Sequence, residues 1–277
     1  MANYLSSQDS DSDSDDAIVL PADTLALVRL VLVCCHVVTG KLLQLQSFLA
    51  EKDEQEQRFN AIKIDAHTAA DAAAAVRRIE VTMADFAEDW QLSQFWYDDQ
   101  TARHLATHAL AATPTSGSLA CVSSPTVFVE IMVGKSLCLG IPYASLPESV
   151  HPYVFEFDRR FSVFGDAFVF FDFNNPVSFS HPHNLNHQFD TLVVDPPFLS
   201  DDCWSKTSEC VRWLAKNHKC NIIVCTGLVM KDKILNELDC RLTSFEPKHK
   251  GGLSNEFGCF TNFESDGFKW VRDSKST

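Results

Sequence analysis

A carboxylate followed at once by two prolines and an aromatic ring, Asp195-Pro196-Pro197-Phe198, is a grouping that can do chemistry. The residues before it, Phe189 to Val194, are rich in apolar and β-branched side chains and predict a strand, so Asp195 stands at that strand's carboxyl end. Neither proline can donate to a sheet ladder or continue into a helix, and the pair forces a stiff, extended exit with bare carbonyls. The product is a rigid cluster of hydrogen-bond acceptors beside Phe198.

The elements that must position this cluster can be read from the same pattern. Strands are predicted at 118–124, 153–158, 167–173, 189–195, 221–226, 241–247 and 257–263, with helices over 200–216, opened by Ser200 as a cap, and over 228–238. Alternation of strands and helices implies an α/β fold with a mainly parallel sheet, in which ligands bind outside the carboxyl ends of the strands. Polar residues gather at those ends: Ser123, Ser124, Pro125 and Thr126 after the first strand, Asp158 after the second, Asp172 and Asn174 after the third, and Asp195 after the fourth. Asp158 is placed to accept from the two hydroxyls of a ribose, or else to pair with Arg159 or Arg160 at the surface. The usual glycine-rich turn is missing, since Gly117 precedes the first strand, which argues against an ordinary dinucleotide fingerprint. Ahead of the first strand, Leu92, Phe95 and Trp96 suggest an aromatic-led helix, and Leu105, Ala109 and Leu110 a second helical face. Trp96 and Tyr97 can serve as core or as a wall over a ligand. Residues 248–257 join the last two strands, and their basic side chains can contact substrate or face solvent.

The chain of 277 residues, 45% apolar, is long enough for one catalytic domain with extensions. A net charge of -14 disfavours stable binding of nucleic acid, which rests on Lys and Arg neutralising phosphates, and suits a basic protein partner. Residues 1–24 carry Asp9, Asp11, Asp13, Asp15, Asp16 and Asp23 with no Lys or Arg, and read as a disordered acidic tail. Residues 25–84 read as a helical and linker extension, 85–264 as the main domain and 265–277 as a tail. The apolar run at 25–38 is broken by Arg29 and His36 and is shorter than the roughly 20 residues of a membrane span, so a soluble protein is expected. No secretory signal is visible, because the amino terminus is acidic and lacks a basic region. Ten cysteines without regular pairing are read as reduced thiols of an intracellular protein. Cys220 and Cys225 fall on opposite faces of a strand, and His181, His183 and His187 lie in a loop, so no metal is expected.

Taken together, "WQLSQFWY" (90–97), "ACVSSPTV" (120–127), "FEFDRRF" (155–161), "NNP" (174–176), "DPPFLS" (195–200), "CTG" (225–227) and "NEF" (255–257) resemble a known family. It is that of the class I methyltransferases that use S-adenosylmethionine and carry an Asp/Asn-Pro-Pro-Tyr/Phe motif, and within it the lysine methyltransferases of elongation factor 1A. The resemblance runs over roughly 85–264. It implies a Rossmann-like, seven-stranded sheet with the final strand antiparallel, and a cytoplasmic transfer of methyl groups to a lysine of elongation factor 1A. It further implies that Ser123, Ser124 and Thr126 meet the methionine end of the cofactor, Asp158 the ribose, and Asp172 or Asn174 the adenine. Asp195, Pro196, Pro197 and Phe198 would form the catalytic motif, with Asp195 also beside the cofactor and Trp96, Tyr97 and Phe198 near the substrate lysine.

The chemistry of an amine accounts for the motif. A lysine with a pKa near 10.4 is protonated at neutral pH and has no lone pair to offer. A desolvated slot disfavours its charge, while Asp195 and the Pro196 carbonyl can accept its N–H groups and aim the lone pair. Phe198 can stabilise the positive charge that arrives on nitrogen. Two other readings share the motif, an adenine methyltransferase acting on DNA or RNA and an inactive binding module. Residues 28–45 and 133–150 depart from the family pattern, and we expect one or both to be artefacts of the gene model, such as retained intron.

Overall fold

The computed structural model describes residues 81–89, 92–136, 150–252 and 256–272. The expected acidic tail, nearly all of the expected extension and residues 137–149 of the departing segment lie outside them. Seven strands form one sheet: β1 (Ser118–Val122), β2 (His151–Glu156), β3 (Phe168–Phe170), β4 (Thr191–Val194), β5 (Asn221–Gly227), β6 (Arg241–Leu242) and β7 (Phe257–Thr261). Their order is β3-β2-β1-β4-β5-β7-β6, and β7 alone runs antiparallel to its neighbours. This is the seven-stranded class I methyltransferase arrangement that the alternating pattern and the resemblance anticipate.

Among the described residues four α-helices flank the sheet: α1 (Asp99–Ala112), α2 (Pro125–Ser136), α3 (Asp201–Leu214) and α4 (Lys231–Leu238). The side chains of β1 divide by the period of two that a strand imposes. Leu119 and Cys121 join one cluster with Leu105 and Ala109 of α1 and Phe128 of α2. Ala120 and Val122 join the other, with Trp204 and Leu214 of α3 and Ile234 of α4. Central strands buried on both faces can afford no polar alternation, which explains why TLVV and LACV read as plain apolar runs. Cys220 and Cys225 fall in opposite clusters, as their separation requires.

Three expectations are corrected. Residues 94–98 are not helical: Asp98 caps α1 by accepting from the Thr101 amide at 2.7 Å, and the segment before it is held extended. The hydrogen bonds that hold it are Trp96 N to Glu88 Oε1 (2.8 Å) and Lys250 N to the Trp96 carbonyl (2.9 Å). The body also reaches beyond 264, because Phe268 is fully buried against His104, His108 and Phe245 and Trp270 bridges back to Thr243. At the other end Val81 belongs to the core, and Phe86 stacks on Phe161 at 4.2 Å, so packing begins before 85. Finally, β6 is two residues long: the Thr243 amide and hydroxyl still donate to the Cys259 carbonyl, and at Ser244 the chain bends, its amide donating to the Lys269 carbonyl.

Candidate active site

The strand order reverses between β1 and β4, which run side by side while their outgoing connections cross opposite ways. That divergence opens a crevice at the carboxyl ends of the strands. A cavity of about 280 Å³ lies there, lined from the ends of β1, β2, β3 and β4, from the segment before α1, and from His249 and Phe257.

Asp195 forms part of its floor. Its amide extends the ladder by donating to the Val122 carbonyl at 3.0 Å, and Pro196 and Pro197 then lead the chain away. The far end of the loop is fixed by Ser200, which caps α3 by accepting from the Cys203 amide, and by Leu199, packed on Gly227. A Cβ at Gly227 would come within 2.9 Å of Leu199, so glycine is what lets the loop sit down on the end of β5. Phe198 remains 42% exposed, its ring edge-on to Phe173 at the mouth. The buried Tyr97 hydroxyl donates to Asp195 Oδ2 at 2.6 Å. Asp195 keeps some surface toward the cavity yet lies deep beneath the protein surface, and this burial pushes its carboxyl up to about 7. The Tyr97 hydrogen bond opposes the rise and the nearby Glu156 charge adds to it.

At the end of β2 the structure exchanges two carboxylates. Asp158, expected to face a ribose, does not line the cavity. It accepts from the Arg160 amide and Nε and from Gln94 Nε2, at 2.9, 2.8 and 2.9 Å, which leaves it little capacity for a ligand. The residue that does line the cavity is Glu156, the last of the strand, whose Oε1 accepts from the Asp158 amide at 3.1 Å. Burial pushes its carboxyl up to about 7 as well. The reason for the shift is local: Asp158 is the cap of the 3-10 segment Arg159–Ala167, so the strand stops two residues earlier than its apolar run suggests.

The β1 turn holds the three hydroxyl residues together at the start of α2. Ser123 adopts a left-handed conformation (φ 50°) and donates its amide to the Phe155 carbonyl. The Ser124 hydroxyl is spent on the Val193 carbonyl at 3.4 Å, while Thr126 is buried in the first turn of the helix. After β3, Asp172 accepts from the amide and side chain of Asn174 and from Asn175, which closes a tight turn, and Lys206 donates to Asn174 Oδ1. Both residues still line the cavity. Trp96 and Tyr97 line it too, but as buried side chains, and Trp96 Nε1 is committed to the Phe86 carbonyl. Among the residues the sequence reading missed, Glu156 was hidden by a strand boundary. His249 was hidden by distance: its ring lies 4.8 Å from that of Tyr97, a contact across 152 positions that no local pattern announces. Among the described residues no group of three potential ligands could hold a metal, and no helix is long and apolar enough to cross a membrane.

Comparison with known proteins fits this geometry. A family model described as "Probable N6-adenine methyltransferase" matches residues 88–265. The EEF1A lysine methyltransferase 1 of Gallus gallus is 39% identical over 190 residues, covering 67% of this chain and 80% of that protein. That of Homo sapiens is 40% identical over 179 residues, covering 64% and 76%. The Saccharomyces cerevisiae protein-lysine N-methyltransferase EFM5 is 35% identical over 243 residues, covering 83% and 92%. At these identities and coverages, with the family model matching 88–265, the chain belongs to the family of EEF1A lysine methyltransferase 1 and the related protein-lysine N-methyltransferases.

Proposed function

We propose that this chain transfers methyl groups from S-adenosylmethionine to a lysine of elongation factor 1A, in the cytoplasm. The observation that carries the reading is Asp195: a carboxylate tied on one oxygen by Tyr97, set beside two prolines and the exposed Phe198, in a chain whose relatives are named for this substrate.

The lining suits the cofactor. Glu156 is a buried carboxylate at the end of β2, fit to accept from two ribose hydroxyls, and it takes the role first given to Asp158. The start of α2, with Ser123, Ser124 and Thr126, offers amides and a positive helix end to a carboxylate. Phe157, 49% exposed, and the turn of Asp172 and Asn174 offer a ring face and polar edges to adenine. When bound, S-adenosylmethionine supplies a methyl group made electrophilic by its sulfonium.

The chain's own residues handle the amine. The apolar walls around Asp195 disfavour an ammonium and so favour the neutral lysine. Asp195 and the Pro196 carbonyl accept its N–H groups, and the stiff prolines hold that geometry with little motion. Phe198 and the walls formed by Trp96 and Tyr97 flank the lysine as it enters, and the face of Phe198 stabilises the charge that develops on nitrogen. Incubation of the purified chain with radiolabelled cofactor and elongation factor 1A tests the reading, with label in lysine as the expected result and its absence at millimolar cofactor as the contrary one.

A further inference from the structure

The geometry points to Tyr97 as a positioning residue for the transfer: its hydroxyl fixes Asp195 through Oδ2 so that Oδ1 alone is presented to the substrate amine. The inference rests on the lysine-methylation reading above.

Asp195 has two oxygens with different fates. Oδ2 accepts from Tyr97 at 2.6 Å, whereas among the described residues no donor is bonded to Oδ1, which belongs to a side chain facing the cavity. A carboxylate free to rotate would present either oxygen over a range of directions; one locked at Oδ2 presents a single acceptor in a single direction. Placing reacting groups to within fractions of an ångström is worth orders of magnitude in rate, so this lock acts on catalysis without touching the amine.

Tyr97 is itself over-determined, as such a role demands. It precedes α1 and forms an antiparallel bridge with His249 in the loop between β6 and β7. The bridge is flanked by Asp98 N to the Lys248 carbonyl and Lys250 N to the Trp96 carbonyl, each 2.9 Å, and by Lys248 N to Thr101 Oγ1 at 3.0 Å. The His249 ring lies on Tyr97 at 4.8 Å and meets Phe257 of β7 edge-on at 4.9 Å. Three elements distant in sequence thus aim one hydroxyl. A tyrosine kept for packing alone would more cheaply satisfy its hydroxyl on a backbone carbonyl, since pairing it with a buried carboxylate desolvates a charge.

The titratable groups facing Asp195 are Tyr97, Glu156 from the end of β2 and Cys225 from β5. Of these, Tyr97 is the one that favours the ionised carboxylate, while the Glu156 charge opposes it. Tyr97→Phe keeps the ring and its contact with His249 and removes only the donor. Two readouts follow. In cofactor-free protein with ¹³C-labelled aspartate, the Asp195 carboxyl, assigned with Asp195→Asn, should titrate about half a unit or more higher in Tyr97→Phe. In the methylation assay kcat at pH 7 should fall about 10-fold, with cofactor affinity and KM for the protein substrate within about 2-fold of wild type. Should Tyr97→Phe not fold, His249→Leu, which leaves the hydroxyl but loosens its seat, should move both readouts the same way by less. An unmoved Asp195 midpoint, or a wild-type kcat in the folded variant, overturns the inference. A midpoint that moves in Tyr97→Phe, together with a wild-type chain that methylates no lysine, supports the Tyr97–Asp195 lock and removes the function proposed above.

Discussion

Two carboxylates, Asp195 and Glu156, are held in one cavity with their pKa values pushed up to about 7 by burial. Both therefore bind protons more tightly in the folded chain than in the unfolded one. Below about pH 4 neither state releases a proton, and the two carboxyls have no effect on the pH dependence of stability. Between roughly 4 and 7 the unfolded chain releases protons that the fold retains, so stability falls as pH rises, and above 7 the loss is complete. Asp195→Asn should then be more stable than wild type at pH 8 without cofactor, by ~2 kcal/mol, with the gain gone near pH 4; calorimetry at the two pH values checks it. The same variant should lose about 100-fold or more in turnover. Glu156 and Asp158 separate by their partners. Glu156→Gln should weaken cofactor binding about 10-fold while the fold persists, since it removes an acceptor facing the cavity. Asp158→Ala should instead cost about 2 kcal/mol of stability by releasing Arg160 and Gln94, and equal melting temperatures for the two variants would contradict this division.

At the scale of elements, the central parallel strands were legible in the sequence because strands buried on both faces must be apolar runs, and the stretches 119–122, 192–194 and 222–225 are unbroken. Asp195 was legible for a related reason: a carboxylate and prolines end such a run conspicuously. What local pattern could not supply were contacts made across the chain. Leu92, Phe95 and Trp96 have helical spacing, yet hydrogen bonds to 248–250 hold Trp96 and Tyr97 extended. Phe268 sits past the last strand, where the sequence resembles a polar tail, and only the three-dimensional packing reveals it as core, in contact with His104 and His108. Its burial carries a consequence for stability. Phe268→Ala should destabilise the domain by about 3–5 kcal/mol, visible as a lower denaturant midpoint, while a change under 1 kcal/mol would return these residues to a tail.

For the whole molecule the question is which nitrogen receives the methyl group. The family model carries an adenine name and the relatives a lysine name, and the Asp-Pro-Pro-Phe loop serves either, because both present an N–H-bearing nitrogen. Net charge favours lysine: a formal charge of -14 disfavours approach to a phosphate backbone and suits a basic protein surface. Its basic pairs near the cavity are small and partly engaged, Arg160 with Asp158 and Lys250 with Asp99. The most direct measurement offers the purified chain radiolabelled S-adenosylmethionine with elongation factor 1A and adenine-containing DNA and RNA at equal concentration, followed by mass spectrometry of each. We predict methylated lysine in the elongation factor and unlabelled nucleic acid; N6-methyladenine with no label in the protein would contradict the account.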